Sequence, residues 1–288
     1  MHLPNVLLSL GLNAALTAAS TTCYGNSVTG SVWQPSVGAS WQIVLQNKLD
    51  PTKLVTPDVG IFDIDMFENP NSTIAGLHAK NKKVICYFSA GSYEPGRPDS
   101  GSFTAADKGA ELDGWPGEYW LDLRSTNVRN IMVKRLRLAQ SKGCDAVDPD
   151  NVDGFQNDNG LGLTAQDSID FMNFLAANAS SLGLAIGLKN AGDIIDSVLP
   201  KVQFSVNEQC INFTECDTFA AFIDAGKPVF HIEYPTGVPS VSAQDFAEYC
   251  DTDETRNATE FSTVLKNMDL DGPVEFCDGT NGTTALSS

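Results

Sequence analysis

Gly143-Cys144-Asp145-Ala146-Val147-Asp148-Pro149-Asp150-Asn151-Val152-Asp153-Gly154 gathers four carboxylates around one short apolar run. Ahead of it, residues 128–142 repeat apolar positions at helical spacing and close on Gly143; behind it stand Pro, Asn and Gly. The segment therefore reads as helix, buried strand and loop in succession. Carboxylates crowded where a strand ends raise one another's pKa, an arrangement kept mainly where acid/base or cation chemistry is wanted. The bland alternative is an Asp-rich turn whose side chains cap their own backbone.

Working outward, the same alternation recurs along the chain. Apolar, β-branched runs at 58–65, 83–90, 118–123, 144–150, 184–190, 204–208, 228–234 and 261–266 read as strands. Amphipathic segments at 72–81, 125–142, 165–182, 193–199, 217–225 and 242–250 lie between most of them. Eight strands alternating with helices predict an α/β fold, a single-domain (β/α)8 TIM barrel. No Gly-x-Gly-x-x-Gly follows a strand, which removes the dinucleotide-binding alternative. Residues 41–46 read as an extra strand ahead of the barrel, so the expected division is a leader at 1–19, an N-terminal segment at 20–40 and, at 41–288, one (β/α)8 domain that includes this extra strand.

A barrel of this kind carries its functional side chains at the C-terminal ends of its strands. Here those ends hold Asp63 and Asp65; Tyr87 and Ser89, with Ser92 just beyond; Asp122; Asp148 and Asp150; Lys189 and Asn190; Asn207 and Glu208; and Glu233 and Tyr234. Several follow directly on apolar runs such as Val84-Ile85-Cys86, which ordinary loop composition does not explain.

Composition narrows the partners. With 36 acidic and 18 basic residues the formal charge is −18, which disfavours nucleic acid and anionic membranes and favours a cationic ligand. The leader shows an apolar core, Val6-Leu7-Leu8-Ser9-Leu10-Gly11-Leu12, followed by small residues, the pattern of a secretory signal peptide cleaved near Ala19 or Ser20. Sequons at Asn71, Asn178, Asn212, Asn257 and Asn281 agree with a secreted, extracellular protein. Of seven cysteines, Cys210 and Cys216 flank a short loop and are expected to pair, with Cys250–Cys277 as a second bridge. The odd count leaves at least one unpaired, and Cys86 and Cys144, each within a strand, read equally as small packed hydrophobes.

Elimination then limits the chemistry. His2 lies in the leader, while His78 and His231 are single and far apart, so a zinc site lacks its ligands. The Asp148, Asp150, Asp153 spacing lacks the glycine and terminal glutamate of an EF-hand loop. Without a Gly-x-Ser-x-Gly elbow a serine triad is also excluded. No metal or cofactor is expected. What remains is a carboxylate pair across a barrel mouth, whose commonest use is glycosidic bond cleavage. Trp115, Tyr119, Trp120 and Tyr93 fall in the loop region beside it, where they read equally as stacking faces for sugar and as aromatics that pack the rim.

The ordered motifs Asp63-Ile64-Asp65, Val84-Ile85-Cys86-Tyr87-Phe88-Ser89-Ala90-Gly91, Gly114-Trp115-Pro116-Gly117-Glu118, Trp120-Leu121-Asp122, Asp150-Asn151-Val152-Asp153-Gly154, Gly187-Leu188-Lys189-Asn190, Val206-Asn207-Glu208-Gln209-Cys210 and Val229-Phe230-His231-Ile232-Glu233-Tyr234 resemble glycoside hydrolase family 114. The resemblance runs from about Trp41 to Leu270. It implies a TIM-barrel endo-α-1,4-polygalactosaminidase acting on galactosamine-rich chains of the galactosaminogalactan type, and by motif it makes Asp150 and Glu208 the acting carboxylates. The expected substrate-binding residues are Asp63, Asp65, Tyr87, Ser89, Asp122, Asp148, Asn151, Asp153, Lys189, Asn190, Gln209, Glu233, Tyr234 and Trp115. Galactosamine chains without N-acetyl groups are cationic, so an acidic cleft suits them independently of the resemblance. The expected mechanism is double displacement, with Asp150 attacking and Glu208, its pKa raised, acting as acid and then base; the sequence leaves open the exchange of these roles and an inverting outcome. The competing reading is an acidic barrel that binds cationic glycans without cleaving them. A monomer is expected, with no nucleic-acid or membrane partner.

Overall fold

A computed structural model describes residues 32–53, 55–251, 258 and 260–287. The leader, Cys23 and Asn257 lie outside the described residues. Among the described residues ten strands share one sheet, ordered β1 (Trp41–Val44), β2 (Ile61–Asp65), β3 (Lys83–Ser89), β7 (Ala146–Asp150), β8 (Ala185–Lys189), β9 (Phe204–Glu208), β10 (Val229–Glu233), β11 (Ser262–Leu265), β12 (Pro273–Phe276) and β13 (Asn281–Thr283). The pairings from β1 through β11 are all parallel, and β12 and β13 then add antiparallel to the end. Helices α1 (Asn71–His78), α2 (Thr126–Lys142), α3 (Ala165–Ser181), α4 (Ile195–Val198), α5 (Cys216–Asp224) and α6 (Ala243–Cys250) connect them. This is the expected α/β barrel, and no helix among the described residues is long and apolar enough to cross a membrane.

Two assignments change. The run at 41–46, expected outside the barrel, supplies its first strand, paired with β2 in register Trp41↔Ile61 through Val44↔Ile64. The run at 118–123, expected inside it, forms β6 (Tyr119–Leu121) of a separate antiparallel sheet with β4 (Ser92–Tyr93) and β5 (Lys108–Glu111). The strand count survived because the two errors cancelled. Periodicity detects a buried extended segment but not which sheet receives it.

The pleat divides the core in two. On one face Trp41, Ile43, Ile61, Ile85, Ala146, Ala185, Phe204, Val206, Phe230, Ile232 and Val264 pack inside the barrel. On the other, residues such as Phe62, Ile64, Val84, Phe88, Val147, Ile186 and Leu188 meet the helices. A side chain at Gly187 would not fit, because a Cβ there would fall 2.3 Å from the Phe204 ring that fills the barrel axis. Where β11 meets β1, the Trp41 indole donates to the Ser262 carbonyl at 2.6 Å and the Leu45 amide to that of Leu270 at 2.9 Å. The Lys266 ammonium, pushed down to about 7 by burial, ties the same seam to Gln42 Oε1, Asp271 O and Pro273 O.

Both expected disulfides are present, Cys210–Cys216 and Cys250–Cys277. Cys86 and Cys144, weighed as packed thiols, form a third, joining β3 to the entry of β7 across 58 residues. Their distance in sequence hid a pairing that the parallel neighbours β3 and β7 make close.

Candidate active site

Helix α2 delivers the chain into β7 with Ser125 accepting the Val128 amide at its start and Gly143 in the left-handed region at its end. β7 then closes on Asp150, and the next residue, Asn151, turns with φ 62°. β8 and β9 end the same way, with Asn190 at φ 48°, Ala191 at 52° and Gln209 at 63°. Left-handed backbone at non-glycine residues is strained and tends to gather at functional sites. The turn after β7 also needs Gly91 opposite it, since a Cβ there would lie 1.7 Å from the Asn151 carbonyl oxygen.

The pleat aims Asp150, Lys189 and Glu208 into the mouth of the barrel. The Lys189 ammonium, 1% exposed, stands 3.4 Å from Asp150 Oδ2 and 3.2 Å from Glu208 Oε2. These two oxygens are thus separated by no more than the sum of those distances, which accommodates the ~5–5.5 Å spacing of retaining glycosidases. Asp150 also accepts from Tyr87 OH at 2.9 Å and from the Asn151 amide at 2.7 Å. Glu208 accepts from Tyr234 OH and from Asn190 Nδ2 at 3.3 Å, and its own amide donates to Asn190 Oδ1 at 2.9 Å. Ser89 lies beneath this layer, where its hydroxyl and that of Ser92 accept from Asn151 Nδ2.

Electrostatics overturn one expectation. Burial pushes the Glu208 carboxyl up, but the Lys189 charge and the Tyr234, Lys189 and Asn190 hydrogen bonds outweigh it, and its pKa is lowered rather than raised. Sequence places Lys189 at a neighbouring strand end but does not show that its ammonium stands against Glu208. Lys189 is in turn held well above the usual lysine range: burial opposes its charge, and Asp150, Glu208 and Asp148 overcome that opposition.

A cavity of about 430 Å³ opens above the pair, lined by Gln46, Asp65, Tyr87, Glu94, Arg97, Leu112, Trp115, Glu118, Asp150, Asn151, Asp153, Lys189, Asn190, Glu208, Tyr234, Met268 and Asp269 among others. It continues on one side into a groove with Trp115, Trp120, Asp113, Asp153 and Asp158, and on another into one with Asp153, Asn190, Glu208, Gln209 and Phe213. Asp153 stands where the three meet; burial and the Asp150 charge push it up to about 6. Burial and the Glu94 charge push Glu118 up to about 7.

Several expected sugar contacts lie elsewhere. Asp63 and Asp148 are 0% exposed below the cavity floor. Glu233, adjacent to Tyr234 on one strand, faces the opposite side of the sheet, where it accepts from the Ile211 amide at 2.8 Å and sits 2.9 Å from His231 Nε2. Asp122 belongs to the small sheet's exit and binds Arg124 at 2.7 Å. Asp65 does reach the cavity wall, but Arg97 occupies it at 2.7 Å. Of the four aromatics, Trp115 projects outward at 57% exposure. Tyr93 and Tyr119 pack beside Lys108, and Trp120 is buried with one edge on the groove. Sequence reading missed Gln46, Glu94, Arg97, Met268 and Asp269 as lining residues. Recognising 41–46 as a barrel strand would have exposed Gln46; the others sit on loops with no periodic signal.

The metal-ligating trio of the described residues, Cys210, Cys216 and His231, has both sulfurs consumed by the disulfide. That bridge begins two residues after Glu208 and packs Cys210 Sγ 3.4 Å from His231 Nε2. Cys216→Ala is expected to lower kcat/KM by about tenfold through displacement of Glu208, while Tm moves by only a few degrees because the closed loop is short. Steady-state assays beside thermal melts check this; an unchanged kcat/KM would detach the disulfide from the site.

The sequence model of glycoside-hydrolase family GH114 matches residues 24–282. The crystal structure of Aspergillus fumigatus Ega3 in complex with galactosamine is similar at 55% identity and TM-score 0.81, covering 88% of this chain and 100% of that one. The glycoside hydrolase domain of PelA from Pseudomonas aeruginosa shares the fold at 13% identity and TM-score 0.61, covering 86% of this chain and 99% of that one. No curated protein sequence matches the chain.

Proposed function

The chain belongs to glycoside-hydrolase family GH114, and from that membership we propose that it is a secreted endo-α-1,4-polygalactosaminidase that uses Asp150 and Glu208 as its acting carboxylates. The observation that carries the reading is the pair itself: two carboxylates bridged by one buried ammonium at the floor of an open cleft. A cleft that runs past the pair on either side suits cleavage within a chain rather than at its end. The galactosamine bound to Ega3 supports the sugar.

In the proposed double displacement, Asp150 attacks the anomeric carbon as the glycosidic bond breaks, and Glu208 gives its proton to the departing oxygen. Glu208 then takes a proton from the water that releases the sugar from Asp150. Asp150, 17% exposed and fixed by Tyr87 and the Asn151 amide, suits the attacking role. Glu208, 24% exposed, suits the group that must meet both leaving group and water. Its lowered pKa has a consequence of definite sign. The proton-bearing form grows as pH falls, so kcat/KM is expected to rise from neutral toward mildly acidic pH, and a profile rising toward alkaline pH would assign the acid elsewhere.

Glu118 and Asp269 join the expected Asp153 on the rim, in place of Asp122 and Glu233, as the acidic groups placed to meet substrate ammonium groups. Raising salt from about 0.02 M to 0.5 M is expected to increase KM several-fold, because the Debye length shrinks to the spacing of such charges. Turnover at saturation changes little, since the pair acts at contact distance. Incubation with α-1,4-galactosamine oligomers, with chitosan and N-acetylated polymer beside them, followed by mass spectrometry, tests the whole reading. Shorter galactosamine products support it; binding without cleavage returns the protein to a carbohydrate-binding barrel.

A further inference from the structure

Directly beneath the pair lie two carboxyl groups that the mechanism does not use. Asp63 on β2 and Asp148 on β7 both face the barrel interior and are 0% exposed. None of their four oxygens accepts a hydrogen bond from any donor of the described residues. Two bare carboxylates buried this way would be severely destabilising. The nearby cation, Lys189, is already placed on Asp150 and Glu208. Two carboxyl groups can satisfy each other only when a proton lies between them, one donating and the other accepting.

We propose that Asp63 and Asp148 form a positioning pair that holds a single proton beneath Asp150 and Glu208, so that the floor carries one negative charge and Lys189 stays on the acting carboxylates. The inference rests on the roles proposed above for Asp150 and Glu208. Burial pushes both groups up, Asp63 well above the usual carboxylate range, and a shared proton between them would raise Asp63 and lower Asp148, which assigns the proton to Asp63. The other titratable groups facing them are Tyr87 from β3, Asp150 from β7, Lys189 from β8 and Glu208 from β9. With two charges on the floor Lys189 would be divided between floor and mouth. With none, the negative charge that now stands beneath Glu208 would be gone.

The test counts charges. Asp148→Asn or Asp63→Asn replaces the shared proton by an amide N–H and leaves one carboxylate, so either single variant keeps the pH position of the wild-type kcat/KM profile. Asp63→Asn/Asp148→Asn removes the last charge and shifts that profile toward acid by about one pH unit. A single variant that already shifts the profile would mean that the wild-type floor carries two charges; a double variant that does not shift it would mean none. Either result overturns the proposal. Infrared spectra of the wild type minus each single variant, taken at a pH above the range in which Glu118 and Asp153 titrate, read the proton without substrate: the difference shows the D2O-sensitive carbonyl stretch of one protonated carboxylic acid that the wild type has and each single variant lacks. A missing band in the wild type overturns the pair even if the enzyme cleaves as proposed, while a present band with no cleavage would fault the function and not the pair. A role confined to stability would lower Tm and leave band and profile unrelated.

Discussion

Asp150→Asn and Glu208→Gln are each expected to reduce kcat on an α-1,4-galactosamine oligomer by about 10³-fold or more while leaving binding largely intact. The amides nearly preserve volume and keep hydrogen bonds to Tyr87, Tyr234 and Asn190 within reach. What disappears is the attacking oxygen in one case and the transferable proton in the other, and interactions made only in the transition state appear in kcat rather than KM. Azide separates the roles. With Asp150→Ala, azide attacks in place of the carboxylate and gives a glycosyl azide of inverted configuration; with Glu208→Ala it opens the covalent intermediate and gives the retained one. Exchanged outcomes would exchange the roles, and turnover within tenfold of wild type in either amide variant would remove that residue from the mechanism.

Lys189→Met is expected to show the second large effect, on stability and on turnover together. Removal of the ammonium leaves Asp150 and Glu208 facing each other with no cation between them, at a penalty of about 3–5 kcal/mol for an uncompensated buried charge. The sign of the pH dependence follows from the shifts. Glu208 has a depressed folded pKa, so its pairing contributes stability above the ordinary glutamate value of 4.5 and loses it as pH falls through the folded value. Lys189 has a raised folded pKa, so its contribution is full below the ordinary lysine value of 10.5 and is lost only as pH rises through the folded one. The gap in stability between wild type and Lys189→Met is therefore widest across the neutral range and closes on the acid side below about pH 4.5. Denaturant melts at several pH values measure it. A gap independent of pH would attribute the loss to packing of the lysine stem.

Alternating apolar runs and helical segments, closed by polar residues at strand ends, were enough to specify an α/β barrel and to place Asp150, Lys189 and Glu208 at its mouth, because strand ends and pleat parity are local properties of the chain. Cys210–Cys216 was legible for the same reason: a short loop leaves its ends few other partners. What required the tertiary structure was everything decided between segments far apart in sequence. Trp41–Val44 and Tyr119–Leu121 look alike as extended runs, and only their neighbours in space sort them between barrel and side sheet. Asp63 and Asp148 share the inward parity of Asp65 and Asp150 but lie deeper along the barrel, while Glu233 has the opposite parity to Tyr234, so three acidic residues expected at the sugar are sealed from it. Glu208 reversed its expected shift because the cation that controls it comes from another strand. Sequence determines which side chains a strand end can offer; depth in the barrel and the charge standing opposite determine what each of them is able to do.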